Sequence, residues 1–157
     1  MEQPAFQDLF PDNHCFGCGP TNDRGLRIKS RWSAANESRC TFQPQPHQNA
    51  GPEAYLNGGI IATLIDCHCV CTAIADAYRR EDREPGSEPA IWYVTGTLTV
   101  KYLHPAPIDR PVELCAHVQH AGPKKTDLRC TLTSGGVDCA HGSVTAIRVP
   151  PTWRETT

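Results

Sequence analysis

The 157-residue chain lacks a dominant charge: its formal net charge is −2 and charged residues make up 20%. That balance gives no electrostatic footprint for nucleic acid or for an acidic membrane surface, and neither partner is expected. It also lacks any run of roughly 18 uninterrupted apolar residues, the length of a membrane span. The opening stretch, MEQPAFQDLFPDNH, has no basic region followed by an apolar run. No secretory leader is therefore expected, and the chain reads as cytoplasmic with reduced thiols. Internal repeats and low-complexity segments are absent as well.

Cysteine is abundant instead. There are nine, an odd number, so at least one has no partner within the chain. HCFGC holds one C-x-x-C beside a histidine, and DCHCVC packs three cysteines and His68 into a short span. Structural zinc usually shows two such pairs at familiar spacings. On a helix, Cys67 and Cys71 share a face while Cys69 points roughly opposite, so one tetrahedral site cannot gather all three. Cysteine is also a good small core residue. The spacing predicts no metal, and His68 reads as a core or interface histidine.

Length suits a single domain over residues 1–157. Residues 1–24 are rich in turn formers and read as irregular. LRIKSRW alternates from Leu26 and predicts a strand, with ESRCTFQP as the next and Asn36 in the turn between them. QPQPHQNAGPEAYL reads as a loop, and a long apolar helix follows over 58–80. Four strand-like runs come next: AIWYVTGTLTVKYL, PVELCAHVQHA, KTDLRCTLTS and VDCAHGSVTAIRV. AGPKK and SGG supply hairpin turns between them. The tail, residues 150–157, is expected to fray. Strands with one segregated helix predict an α+β fold, in which an antiparallel sheet of five or six strands wraps one long central helix.

NGGIIATLIDC, starting at Asn57, places a lone acid, Asp66, nine residues along an almost wholly apolar helix. Together with HCFGCGPTNDRGLRIKSRW, VTGTLTVKYLHPAP and AGPKKTDLRCTL, this stretch resembles the hotdog-fold thioesterases, specifically the PaaI-type family acting on acyl-coenzyme A. The resemblance spans about residues 14–148, in the right order. The clear departure is Asn57, where the family usually has His.

The resemblance implies a hotdog fold, a homodimer or a dimer of dimers, and an acyl-CoA substrate, with no metal or organic cofactor; coenzyme A enters only as part of the substrate. Asp66 would be the general base or the nucleophile. Otherwise it pairs with a buried cation or faces solvent. Free amides at a helix N-terminus suit an oxyanion, and Gly58 and Gly59 let a carbonyl approach closely. Asn57 is expected to cap the helix. It can donate a hydrogen bond as His does but cannot titrate near neutral pH. Thr95 is expected to orient water or bond Asp66 across a dimer interface, with Thr97 on the same face as the rival. Gln48 and Asn49 are candidates for an amide near the thioester carbonyl. Lys124 and Lys125, with Lys101 and Arg129 nearby, are candidates for the coenzyme A phosphates. The other readings are a hotdog protein that binds an acyl thioester or another small ligand without turnover, and a hotdog dehydratase, which lacks its histidine here.

Overall fold

Asn57 fixes where the long helix begins. Its backbone is extended (φ −62°, ψ 135°) and its side-chain oxygen accepts from the next turn, so α1 runs Gly58–Arg80. Arg79 and Arg80 occupy its last turn, which favours cations, and both are tied to the buried Asp76, at 2.8 and 2.7 Å. The computed structural model describes residues 2–155. Its strands are β1 (Ser30–Ala34), β2 (Glu37–Phe42), β3 (Trp92–Tyr102), β4 (Val112–Ala121), β5 (Lys125–Ser134) and β6 (Val137–Val149). They form one sheet in the order β1-β2-β4-β5-β6-β3, every pair antiparallel.

The inward faces of β4, β5 and β6 contribute Leu114, Ala116, Leu128, Leu132, Val144 and Ala146, all nearly inaccessible. Against them lie Leu64, Ile65, Cys69 and Ala73 of α1, each fully buried. The helix is also covered from the β1 side. There His68 Nδ1 meets Ser30 Oγ at 2.8 Å, and Ser38 Oγ lies 3.3 Å from Nε2. Gln7 continues this buried polar line to Ser30, and Thr72 continues it from Ser38 at 2.6 Å. His68 is thus a core histidine whose polar atoms are all met, as buried polar groups require. By length and composition α1 is apolar enough to cross a membrane, but most of it is buried inside the fold.

Gly135 and Gly136 both take positive φ in the β5–β6 hairpin, which a two-residue turn of the favoured twist demands. Two expectations need correction. The first strand starts at Ser30, not Leu26. Leu26 and Ile28 instead bond back to Phe16 and Gly17, and Arg27 sits at φ 54°, which breaks the ladder. The tail does not simply fray: Pro151–Glu155 form a 3-10 turn, and Arg154 lies over Trp92 and pairs with Asp12. Residues 156 and 157 of the expected tail lie outside the described residues.

Packing between sheet and helix leaves no spare room at Gly142. A Cβ there would fall 2.4 Å from Ile65 Cγ2. Gly142→Ala is expected to cost about 1–3 kcal/mol through overpacking, read as a lower urea midpoint.

Candidate active site

The N-terminus of α1 carries the first group of candidates. Asn57 Oδ1 accepts from the Gly59 amide at 2.7 Å and the Ile60 amide at 3.3 Å. The expectation that the Gly58 and Gly59 amides act together is therefore corrected: Asn57 occupies the Gly59 donor itself. The Gly58 amide keeps no intrachain acceptor among the described residues, and its carbonyl accepts from the Tyr102 hydroxyl at 2.6 Å. Tyr102 was missed by sequence reasoning, although it stands in the KYL stretch that follows the Thr-rich run. Asn57→Ala should lower stability by about 1 kcal/mol, the usual value of a lost N-cap. Equilibrium unfolding with an unchanged m-value checks it.

Asp66 lies further along α1, half-buried among apolar neighbours. Thr95 Oγ1 donates to its Oδ1 at 2.6 Å. This contact forms within one chain, not across an interface as expected. Burial pushes the Asp66 carboxyl above its ordinary range, and the Thr95 hydrogen bond pulls against that shift.

Thr97 does not share the Thr95 face. A bulge at Gly96 puts Thr95 opposite Ala146 but Thr97 opposite Thr145. Ala146 is buried toward the helix, so Thr97 projects from the other side of the sheet. Gly96 permits the bulge because a side chain there would strike Ile147, whose Cγ1 would lie 2.6 Å from the new Cβ.

Gln48 and Asn49 line a recess of about 330 Å³ with Phe16, Arg24, His47, Asn57 and Ile60. The structure thus brings both amides to the helix N-terminus. Asn49 Nδ2 donates to the Ala50 carbonyl, and Gln48 Oε1 accepts from the Gln45 amide. The lysine pair is not brought there. Tyr102, which marks the Asn57 end, pairs with Ala140, whereas Lys125 pairs with Ile147 on the face away from Asp66. Seven residues of strand separate the two rows, about 23 Å. Arg24 and His47 are instead the basic groups beside Asn57, and loop composition gave no signal for them. A separate recess of about 370 Å³ lies by Trp32, Arg79 and Arg83 at the far end of α1 and holds none of these residues.

Comparison with known proteins adds the last observation. The thioesterase superfamily model matches residues 53–140, more than half of the chain. The chain belongs to the thioesterase superfamily. A superfamily protein of Shewanella loihica is 29% identical, with 92% of this chain and 99% of that one covered at a TM-score of 0.68. The Escherichia coli PaaI protein of the phenylacetic acid degradation operon (14%, 80% and 81% covered, TM-score 0.64) has the same fold. So has a Haemophilus influenzae thioesterase (13%, 80% of each chain, TM-score 0.65). Curated protein sequences gave no match. The hotdog fold of this superfamily constrains the site in one way. Gly58 and Asp66 are eight residues apart on a straight helix, about 12 Å, too far to touch one thioester carbonyl from a single protomer.

Proposed function

We propose that this chain is an acyl-CoA thioesterase working as a homodimer or a dimer of dimers. The observation that carries the reading is the Thr95–Asp66 contact, a half-buried carboxylate held in one orientation by a strand hydroxyl. Thr95 fixes Oδ1 and leaves Oδ2 for a water molecule. In this reading Asp66 Oδ2 takes a proton as that water attacks the carbonyl. The Gly58 amide of a second copy faces the developing oxyanion. Collapse expels the coenzyme A sulfur, which recovers the proton from Asp66, giving a free acid and a thiol. Direct attack by Asp66, through a mixed anhydride, is the rival route. Arg24 and His47 stand where phosphates of the substrate would be met. The chemistry calls for no metal or organic cofactor.

The open outer edge of β3, eleven residues long, supports the dimer, because such an edge is otherwise unpaired. The test is thiol release from short, long and aromatic acyl-CoAs, alongside sedimentation of the same protein. One observation favours a second reading, in which the chain binds an acyl thioester without turnover: Asn57 closes the Gly59 donor. An acyl-CoA-dependent rise in Tm with no thiol release would select that reading.

A further inference from the structure

The mechanism above leaves a group of thiols unused. The Cys15, Cys18 and Cys67 sulfurs all lie within 4.8 Å of one another, and Cys15 Sγ is 3.7 Å from Cys67 Sγ. Cys71, one turn along α1 on the same face, neighbours Cys18 but stands outside that triangle. Two pairs thus converge: C-x₂-C from the N-terminal segment and C-x₃-C from the helix. Sequence spacing alone displays only the first as a recognisable pair, because the second reads as ordinary helix core. Cys69, between the helical two, turns to the opposite side and meets Cys130.

We infer that Cys15, Cys18 and Cys67 hold a structural zinc ion that pins the N-terminal segment to α1, with Cys71, one helical turn on, as the thiol that turns in to complete the set. The spacing of the sulfurs suits a metal. The thiols are free in this structure, with Cys15 Sγ and Cys67 Sγ 3.7 Å apart against about 2.05 Å for a disulfide. Four sulfurs around one zinc, at Zn–S of about 2.3 Å, stand about 3.8 Å apart, and both intervals fall within the usual two-to-four-residue ligand spacing. A multi-iron cluster needs a wider cage than this triangle offers.

The surroundings are also those of a metal site. Gly19 N–H bonds to the Cys15 carbonyl at 2.8 Å and closes a tight turn that points both thiols inward. Asn13 braces the pair: its Oδ1 accepts from the Cys15 amide at 3.0 Å and its Nδ2 donates to Cys18 Sγ at 3.5 Å. Such outer hydrogen bonds orient ligands and spread thiolate charge. Cys18, Cys67 and Cys71 are buried while Cys15 reaches the surface, which leaves an entry path. Binding balances as four thiols plus Zn²⁺ giving a tetrathiolate of charge −2 and four protons. The ion would tie residues 13–19 to the helix turn that immediately follows Asp66.

The test is the metal content of the full chain, reconstituted with zinc under anaerobic reducing conditions and passed through gel filtration. About one equivalent of zinc per chain is expected, with Tm falling when a strong chelator removes it. Cobalt(II) substitution should give the intense visible bands of a tetrahedral tetrathiolate. Cys67→Ala should lower zinc retention at least tenfold, while Cys69→Ala, on the same helix but outside the cluster, keeps it. If Cys67→Ala does not fold, the wild-type stoichiometry and the cobalt spectrum still decide. Metal-free wild-type protein overturns the inference. So does full zinc retention in folded Cys67→Ala, which would move the ion elsewhere, or iron in place of zinc after growth with both metals. A weaker spectrum with one oxygen ligand removes Cys71 from the set. None of these outcomes depends on turnover of a thioester.

Discussion

Asp66→Asn lowers kcat/KM for acyl-CoA hydrolysis by about 10²–10⁴, the usual worth of a positioned general base, while the protein is at least as stable as wild type. The two halves of this expectation separate chemistry from folding. Asn keeps the shape and still accepts the Thr95 hydroxyl, which bonds the Asp66 oxygen at 2.6 Å. It loses only the charge. Burial already pushes the carboxyl above its ordinary range, so the ionised form is costly to the fold at neutral pH and its removal relieves that cost. The wild-type rate should climb with pH through an apparent pKa above that of a free carboxylate, and Asp66→Asn should lack that limb. Thr95→Val should cost less, roughly tenfold, because it removes one hydrogen bond to a charged group and leaves the base. Equal thiol release by wild type and Asp66→Asn would remove Asp66 from the mechanism.

Acidification is the second large effect, and it traces to His68. Burial lowers its pKa from 6.5 to about 4. The unfolded chain therefore binds a proton below about pH 6.5 that the folded chain refuses until about pH 4. Stability contributed by the neutral imidazole is complete above the unfolded pKa and falls as pH drops through that window. At about 1.4 kcal/mol per pH unit, the loss comes to about 3 kcal/mol. Urea midpoints from pH 7 to 4 should show this slope, and His68→Gln should flatten it even if the variant is weaker at pH 7. A slope unchanged in His68→Gln would assign the acid sensitivity to other groups.

Much of the architecture was legible because the signals are local. Asn57 before two glycines marked the helix start, Gly135 and Gly136 marked a hairpin, and the period-two runs marked β3 to β6. The first strand was misjudged by a few residues because alternation persists from Leu26 to Ser30 even though Leu26 and Ile28 bond to the N-terminal segment instead of β2. Asp66 stood out as a lone charge in an apolar helix, and its contact with Thr95 follows from the β3 register. Thr97 was misplaced because a one-residue bulge reverses which side of a strand every later residue faces. The occupied Gly59 amide could not be foreseen from residue types, since it depends on the rotamer Asn57 adopts. Nor could the meeting of Cys15 and Cys18 with Cys67, some fifty residues away, because it exists only after the segment folds back over α1.

The position of α1 in the chain sets a problem for synthesis. The strands that cover it most extensively, β3 to β6, are all encoded after it, ending at Val149. Some seventy residues must follow Arg80 before that cover is complete, about 4–14 s at ordinary translation rates. During that interval a helix apolar enough to cross a membrane by length and composition lacks the strands that bury it in the folded protein, which makes the unfinished chain more exposed to aggregation than the finished one.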